Sequence, residues 1–389
     1  MKKLAIISTH PIQYYAPVFK LLAEQCKLKV FYTAGIENAK ETIDNGFKKK
    51  ITWDIPLLDG YEYEFLENKA KEKGTHHYSG IKNPDIIEKI SENNPDAILV
   101  YGWPYSSHLK VLRYFKGKIP IYFRGDSHLL DSKPVWKKLA RKALLTWVYS
   151  YVDKAFYVGK ANKVYFKEFG LKEEQLVFAP HAVDNERFSE DRSNEVKHLR
   201  ESLYLTSNDK LILFAGKLEE KKSPQLLLNA FLDLNLENTH LLFVGSGESE
   251  ENLKLKVEKI LRQAKDDIHR RIHFMDFQNQ SYMPVIYQAC DLFCLPSKGP
   301  NETWGLAVNE AMAAGKGILV SDKVGCSQDI ITEHNGYIFE NENILSFKQG
   351  LKSLLYRNLH EMGQSSEKII CKWTFEDQVK KIIKELNHE

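Results

Sequence analysis

The chain has 389 residues, of which 43% are hydrophobic and 28% charged, and its formal net charge is +3. This length and balance are typical of a globular protein of about two domains, and they exclude a disordered chain. A charge so close to zero gives no indication of a nucleic-acid partner.

No apolar run approaches the roughly 20 residues of a membrane span, and the apolar part of the N-terminus is too short for a signal peptide. The five cysteines are scattered and odd in number, which predicts reduced thiols. We therefore expect a cytoplasmic protein.

The first half of the chain alternates short apolar runs with amphipathic segments, which predicts βα units and a parallel sheet. Charged, glycine-containing residues 38–80 are expected to be irregular and to shape a binding site. The predicted strands span residues 4–8, 28–32, 97–101, 119–123, 152–158 and 176–178. The predicted helices span residues 14–25, 85–94, 108–115 and 133–151, with another ending near 169.

Polar side chains follow two of these strands at the point where open α/β sheets bind ligands. His10 and Gln13 follow the first strand, and Arg124, Asp126 and His128 follow the strand at 119–123. Two interpretations stay open for them. They contact a substrate, or they serve as local caps and turn contacts.

The predicted helix at 133–151 is basic and amphipathic. It carries lysines and an arginine without an acid, interleaved with leucines, Trp136 and Trp147. Such a helix either lies on an anionic membrane surface or packs its apolar side on the sheet and exposes its lysines to water.

The second half repeats the βα pattern after a polar region at 185–208, so we predict one domain over 1–190 and another over 191–372. Its predicted strands span residues 211–215, 240–244, 271–275, 292–295 and 318–320. Its predicted helices span 224–233, a polar segment ending near 265, 283–288, 305–314 and 347–356, and a last helix follows at 375–386.

The stretch from Pro296 to Gly315 joins a buried strand to an alanine-rich helix and carries two carboxylates. Unpaired backbone N–H groups at the helix start suit a phosphate. Glu302 lies before that start, and Glu310 lies roughly 7–8 Å along the helix at 1.5 Å per residue. This spacing fits a nucleotide-sugar, with one carboxylate for the sugar and the other for the ribose. The alternative is a surface loop and an ordinary amphipathic helix.

Lys217 and Lys222 lie in the loop after the strand at 211–215 and just before a helix. Two ammonium groups at a helix start are suited to clamping a diphosphate, whose negative charge grows as a sugar leaves it. The chain has no Asp-x-Asp pair to hold a metal for this task, so we expect no metal and no other cofactor. The alternative is a pair of solvated surface lysines.

Several motifs, in order along the chain, resemble family 4 (group 1) glycosyltransferases, which have the GT-B fold. Residues 176–340 carry the close part of this resemblance. The matching segments are Pro180-His181-Ala182-Val183-Asp184 with Phe188, Gly216-Lys217-Leu218 with Lys222, Gly245-Ser246-Gly247, and Glu302 with Glu310 followed by Ala311-Met312-Ala313 and Gly315.

The resemblance implies two Rossmann-like domains that face each other across a cleft, with a C-terminal helix, residues 373–389, that returns to the first domain. It also implies a metal-independent transfer that retains configuration, from a nucleoside-diphosphate sugar to a glycan or lipid-linked acceptor. Cell-surface polysaccharide synthesis on the cytoplasmic face of a bacterial membrane is the implied setting. Contact with that membrane through residues 133–151 is one of the two interpretations kept open for that helix.

Two sets of site residues follow from the same resemblance. The catalytic set is Glu302, Lys217 and Lys222. The donor-binding set is Gly216, Asn301, Thr303, Trp304, Gly305, Leu306 and Glu310. The acceptor-side set rests on position after two predicted strands and not on the resemblance, and it comprises His10, Gln13, Arg124, Asp126 and His128.

The chain departs from the family pattern in three places. Lys217 replaces the usual arginine, His10-Pro11 replaces a glycine-rich loop, and Trp304 replaces a smaller or phenyl residue. Two other functions stay open, namely an epimerase-like GT-B enzyme and a non-catalytic nucleotide-sugar-binding subunit. A nicotinamide oxidoreductase is disfavoured because no Gly-x-Gly-x-x-Gly follows the first strand.

Overall fold

The computed structural model describes residues 1–36, 42–44, 49–51, 53–130, 135–263, 267–300 and 302–388. The strands are β1 Lys3–Ser8, β2 Lys27–Tyr32, β3 Thr42–Asp44, β4 Lys49–Ile51, β5 Glu62–Phe65, β6 Ala97–Tyr101, β7 Ile121–Arg124, β8 Lys154–Tyr157, β9 Leu176–Phe178, β10 Lys210–Ala215, β11 Thr239–Val244, β12 Ile272–Met275, β13 Leu292–Leu295, β14 Gly317–Ser321 and β15 Gly336–Phe339.

The α-helices of the described residues complete the βα pattern. They are α1 Ala16–Ala23, α2 Ile86–Asn93, α3 Ser106–Phe115, α4 Val135–Tyr149, α5 Lys160–Glu168, α6 Asn185–Ser189, α7 Ser193–Ser202, α8 Pro224–Leu234, α9 Glu250–Gln263, α10 Met283–Ala289, α11 Leu306–Ala313, α12 Ser327–Ile330, α13 Ile344–Leu355, α14 Leu359–Ile370 and α15 Phe375–His388.

The chain forms two compact units. The first comprises Met1–Thr42, Ile51–His181 and Phe375–Glu389, and the second comprises Ile43–Lys50 and Ala182–Thr374. The first contains the parallel sheet β5-β2-β1-β6-β7-β8-β9. The second contains the parallel sheet β12-β11-β10-β13-β14-β15. Two doubly wound α/β units of this kind confirm the predicted fold class.

Burial explains why the central strands are apolar along their whole length. Parallel sheets are covered by helices on both faces, so neither face needs polar residues. Strands β6 and β13 are buried at every position. Because the polar loops after such strands are the first groups to reach the surface, function concentrates at the carboxyl ends of the sheets.

The last helix belongs to the first unit, as predicted. Helix α15 contacts α1, Glu385 pairs with Lys154 at 3.1 Å, and Gln378 accepts a hydrogen bond from Arg124 at 3.2 Å. The polypeptide therefore leaves the first unit after His181 and re-enters it at Phe375.

The structure divides the chain earlier than the predicted boundary after residue 190. The predicted linker contains helices α6 and α7, which pack against α10 in the second unit. Gln288 donates to the Phe188 carbonyl at 2.9 Å, and Arg187 donates to Gln280 at 2.9 Å. The polar sequence of this region concealed the two helices, since each buries few of its residues.

The described residues contain six further strands and α-helices that were not predicted, namely β3, β4, β5, β15, α12 and α14. Strand β5 lies inside the segment expected to be irregular, of which residues 38–41, 45–48 and 52 are outside the described residues. Strand β15 and helix α14 were not predicted at all. Both strands are short edge strands, whose apolar signal is weak.

All five cysteines carry free thiols, and burial of Cys290 and Cys294 agrees with the prediction that both are core residues. Within the described ranges, no helix combines the length and apolar character that a membrane crossing requires.

Candidate active site

The loop after β10 begins with a tight backbone contact. Gly216 has φ +146°, and its N–H donates to the Val244 carbonyl at 3.0 Å. A Cβ on Gly245 would lie 2.0 Å from the Gly216 carbonyl oxygen, so only glycine fits there. A Cβ on Gly216 would meet nothing within 4 Å. The loops after β10 and β11 therefore form one joined surface whose Gly216 side is open to a ligand.

Lys217 and Lys222 lie in this loop, as predicted. Lys222 ends a short 3-10 helix, Glu220–Lys222, and Ser223 then adopts the left-handed conformation at φ +50° before Pro224 begins α8. Pro224 suits the first helical turn because its fixed φ is already helical. Both lysines are partly buried, which strengthens their attraction for an anion relative to open solvent.

Glu302, in the loop after β13, contacts Lys222, in the loop after β10. The Lys222 ammonium contacts the Oε2 atom of Glu302, and their side chains are only 20% and 10% exposed. The Ser297 hydroxyl donates to the same oxygen at 2.7 Å. The backbone also joins the loops, because the Lys298 N–H donates to the Lys221 carbonyl at 2.8 Å. The structure thus brings together two residues that lie 80 positions apart in the chain.

The loop after β13 ends at the start of α11. Gly305 is left-handed at φ +93°, and no described side chain caps this helix start. Two backbone hydrogen bonds hold this loop in place. The Gly325 and Cys326 N–H groups donate to the carbonyls of Glu302 and Trp304 at 3.1 and 2.9 Å. An uncapped helix start beside Glu302 is a suitable anion site, because first-turn N–H groups lack helical partners.

Glu310 lies on α11, which confirms its predicted place in a helix. Its carboxylate is 3% exposed and accepts a hydrogen bond from the Tyr287 hydroxyl at 2.8 Å. Tyr287 in turn packs edge-on against Phe188 at a centroid distance of 5.6 Å. The hydroxyl keeps the nearly buried carboxylate hydrogen-bonded, as such a group requires.

Trp304 differs from its predicted role as a donor contact. Its ring is 2% exposed, its indole N–H donates to Asn309 at 2.9 Å, and it packs on Trp373 at a centroid distance of 5.1 Å. The side chain therefore anchors the loop to the interior and offers no surface to a ligand. Thr303 and Leu306 are partly buried beside it, and Asn301 lies outside the described residues.

In the first unit, His10 and Gln13 follow β1 as predicted, and both are partly exposed. Nδ1 of His10 lies 2.9 Å from the Thr9 hydroxyl. Burial lowers the pKa of His10, which keeps its imidazole neutral near pH 7. A neutral imidazole offers both a donor and an acceptor to a hydroxyl-bearing molecule.

Arg124 was predicted to follow the strand at 119–123 as an acceptor-side residue, and the structure corrects its position. It is the last residue of β7, it is buried, and its guanidinium donates to the carbonyls of Ala179 and Pro180, each at 3.0 Å. Its hydrogen bonds join β7 to the loop after β9 because a buried guanidinium requires acceptors. This position indicates a structural role.

The other two residues predicted after this strand, Asp126 and His128, differ in exposure. Asp126 is partly exposed, and its carboxylate lies 4.0 Å from Nε2 of His181. Burial, together with the charge of Arg124, holds the pKa of His181 well below its usual range. His128 is buried, and its Nδ1 accepts from the Leu130 N–H at 3.2 Å. This contact of His128 is local, and it agrees with the second interpretation of the sequence, in which the residue serves as a turn contact.

Sequence reasoning missed two residues that support the carboxylates, Ser297 and Tyr287. Ser297 had a signal, since it is the first polar side chain after an apolar strand that ends at Pro296. Tyr287 had none, because its partner Glu310 lies on a different helix.

Throughout the described part of the chain, no three His, Cys, Asp or Glu side chains cluster as a metal site would require.

A cation, a paired carboxylate and an uncapped helix start therefore lie together at the carboxyl end of this parallel sheet, and these groups are suited to an anionic ligand. Comparison with known protein families identifies which family this part of the chain resembles. Residues 195–369, just under half of the chain, match the family model described as "Glycosyl transferases group 1".

Curated proteins are similar to part of this chain. An uncharacterized glycosyltransferase of Methanocaldococcus jannaschii is 28% identical over 48% of this chain and 46% of its own length. The lipopolysaccharide 1,2-N-acetylglucosaminetransferase of Salmonella typhimurium is 29% identical over 38% of this chain and 39% of its own length. The chain therefore spans less than half the length of these relatives.

Solved structures show the fold over the whole chain. Anabaena Alr3699/HepE in complex with UDP superposes with a TM-score of 0.74 at 16% identity, and its complex with UDP-glucose superposes with a TM-score of 0.69 at 15% identity. Each alignment covers 100% of both chains. The fold of this chain is that of the GT-B glycosyltransferases.

Proposed function

We propose that this protein is a retaining, metal-independent glycosyltransferase that moves a sugar from a nucleoside diphosphate to a glycan or lipid-linked acceptor. The observation that carries the proposal is the contact between Lys222 and Glu302. It places a cation for a diphosphate beside a carboxylate for sugar hydroxyls, within the residues that match the group 1 family model.

The roles follow from charge. Lys217 and Lys222 neutralise the diphosphate together with the N–H groups at the start of α11, where negative charge grows as the sugar leaves. Glu302 accepts hydrogen bonds from the sugar hydroxyls, and Glu310 accepts from the ribose hydroxyls. The two lysines and the backbone N–H groups supply the positive charge locally, so the proposal requires no metal or other cofactor.

The transfer exchanges one glycosidic bond for another. The bond between the anomeric carbon and the diphosphate oxygen breaks, and the diphosphate leaves with the electron pair. The acceptor hydroxyl attacks the same face of the sugar, and its proton passes to the departing phosphate oxygen. Retention of configuration follows from attack on that face.

Two proteins that are similar to this chain support the choice of substrates. The Anabaena protein was solved with UDP and with UDP-glucose, so UDP and a UDP-hexose are the first ligands to test. The Salmonella relative is named for lipopolysaccharide, which supports bacterial surface polysaccharide synthesis as the setting. His10, Gln13 and Asp126 are the partly exposed acceptor-side candidates of the first unit.

A surface of the first unit supports contact with the cytoplasmic face of a membrane. Leu139, Leu144 and Trp147 on α4 are 66%, 47% and 41% exposed. Arg113 on α3 lies 5.6 Å from the Trp147 ring, and Lys138 is exposed on α4. These exposed apolar side chains, with the Arg113 guanidinium beside Trp147, suit an anionic lipid surface. Lys133, which was part of the predicted segment, lies outside the described residues.

The donor is tested first by thermal unfolding against a panel of nucleotides and nucleotide-sugars. We expect UDP and a UDP-sugar to raise the melting temperature, because a ligand that binds the folded state stabilises it. Incubation of that UDP-sugar with acceptor glycans should then yield a product with the donor's anomeric configuration. An altered sugar formed without any acceptor would instead support the epimerase-like function, and binding without turnover on any acceptor would support a binding subunit.

Membrane contact is tested by cosedimentation with vesicles. We expect binding to phosphatidylglycerol-containing vesicles and weaker binding to pure phosphatidylcholine. The double variant Leu139→Ser and Trp147→Ser should lose about tenfold in partitioning, given the apolar area removed. Leu345→Ser is the matched control, since Leu345 is 73% exposed in the second unit. Equal loss in both variants, or none in the double variant, would contradict the proposed surface.

A further inference from the structure

Ser297 is a buried side chain in direct contact with the proposed sugar-binding carboxylate. It follows β13 after Pro296 and is 0% exposed. Its hydroxyl donates to Oε2 of Glu302 at 2.7 Å, within the range of a strong hydrogen bond to a charged acceptor. A buried hydroxyl requires such a partner, so the contact orients both groups.

The backbone of Ser297 is itself held by the neighbouring strand. The hydroxyl of Ser321, the last residue of β14, contacts the Ser297 carbonyl. The Lys323 N–H donates to that same Ser321 hydroxyl at 3.2 Å. A chain of hydrogen bonds therefore runs from the end of β14 through Ser297 to Glu302. Its anchor is the sheet, the most rigid part of the unit.

Ser297 and Lys222 share one oxygen of Glu302, and only one of them has a competing partner in the proposed reaction. The ammonium of Lys222 is attracted to any diphosphate that enters, since the diphosphate of a nucleotide-sugar carries two negative charges and a carboxylate carries one. Ser297 is neutral and fully buried, so its hydroxyl has no such alternative. When the donor binds, the charge partner of Glu302 changes while its hydroxyl partner stays.

We propose that Ser297 is a positioning residue that keeps the Glu302 carboxylate directed at the donor sugar after Lys222 turns to the diphosphate. This role rests on the proposed glycosyltransferase function. A carboxylate has about four acceptor sites, so one bond to Ser297 leaves others for sugar hydroxyls. Without Ser297, the carboxylate follows the lysine or rotates, and the sugar loses its fixed acceptor.

The test separates sugar binding from nucleotide binding. We expect Ser297→Ala to leave the Kd for UDP within about twofold of wild type. We also expect the substitution to raise the Kd for UDP-glucose by about tenfold, which is the scale of one hydrogen bond to a charged group. Isothermal titration calorimetry with both ligands measures this ratio. In transfer assays at saturating donor, kcat should fall by at least as much, because the sugar is no longer held in one orientation.

Two further variants distinguish positioning from structural support. Ser297→Thr keeps the hydroxyl and should restore the ratio of the two Kd values towards wild type. Ser366→Ala is the matched control, since Ser366 is equally buried in the same unit and donates to the Lys316 carbonyl at 2.7 Å. It should leave the ratio unchanged.

Equal weakening of UDP and UDP-glucose in Ser297→Ala would overturn the positioning role and leave a structural one. An unchanged ratio in that variant would overturn it as well. Wild-type protein that binds neither UDP nor UDP-glucose would contradict the proposed UDP-sugar donor itself, which is a separate and visible failure.

Discussion

The carboxyl ends of the two sheets both carry charged side chains, but these bond to different kinds of partner. In the second unit, Lys222 and Glu302 bond to each other, and a ligand can replace either one. In the first unit, Arg124 bonds to two backbone carbonyls and an amide, which no ligand replaces without opening the fold. Charge after a strand is thus a weak sign of function, and the partner of that charge is a stronger one.

The comparison predicts the largest kinetic effect for Glu302. Glu302→Ala should lower the transfer rate by about 10²–10³-fold, the scale of losing one group that stabilises a transition state. The variant should remain folded, although loss of the contacts with Lys222 and Ser297 should lower its melting temperature. Steady-state assays of nucleotide release measure the rate. Glu220→Ala is the control, since Glu220 is exposed and pairs with Lys298 at 2.7 Å. Transfer at the wild-type rate would refute the assigned role of Glu302.

Lys222→Ala should lower the rate by about 10²-fold, since a second lysine and the helix start still face the diphosphate. Nucleoside-diphosphate affinity should fall with it, unlike in Glu302→Ala. Calorimetry with UDP measures that affinity. The neighbouring Lys221→Ala, which removes a partly exposed partner of Glu219, should leave both quantities unchanged. Identical effects at positions 221 and 222 would show that only general positive charge matters.

Arg124→Ala should affect stability rather than chemistry. The substitution removes three hydrogen bonds from a buried guanidinium and leaves the carbonyls of Ala179 and Pro180 without that donor. We expect a loss of about 2–4 kcal/mol in the free energy of unfolding of the first unit. Urea denaturation measures it, with exposed Arg113→Ala as the control. A variant of normal stability that fails only in acceptor binding would restore the original prediction that Arg124 contacts the acceptor.

The smallest effect concerns pH and His108 in the first unit. Its Nδ1 donates to the Gly102 carbonyl at 2.8 Å, so its Nε2 accepts from the Thr33 hydroxyl at 2.9 Å. Burial lowers the pKa of His108 to about 4, against about 6.5 in an unfolded chain. The unfolded chain therefore binds the extra proton first as pH falls.

Stability from His108 is complete above about pH 6.5 and is lost progressively towards pH 4. At pH 5 we expect about 1–2 kcal/mol less stability than at pH 7. Urea denaturation at a series of pH values measures this slope, and His108→Gln should flatten it. The same slope in wild type and variant would assign the pH dependence to other groups.

The sequence predicted where Lys222 and Glu302 lie, because their positions depend on the local order of strands and loops along the chain. Lys222 and Glu302 each lie in a loop directly after an apolar run, and the carboxyl ends of parallel strands meet at one edge. The direction of Trp304 was not predictable, because Asn309 and Trp373 decide it and neither belongs to its loop. Strand β5 was missed for a related reason. Its sequence, Glu-Tyr-Glu-Phe, becomes a strand only through its pairing with β2.

The contact between Trp304 and Trp373 gives this protein an intrinsic optical probe. Two indole rings at a centroid distance of 5.1 Å couple their electronic transitions, and one of them lies two residues after Glu302 in the same loop. A movement of that loop changes the coupling and therefore the near-ultraviolet circular dichroism and the emission of the pair. The chain has six tryptophans, so Trp373→Phe isolates the signal. Loop motion can then be followed in real time without any attached label.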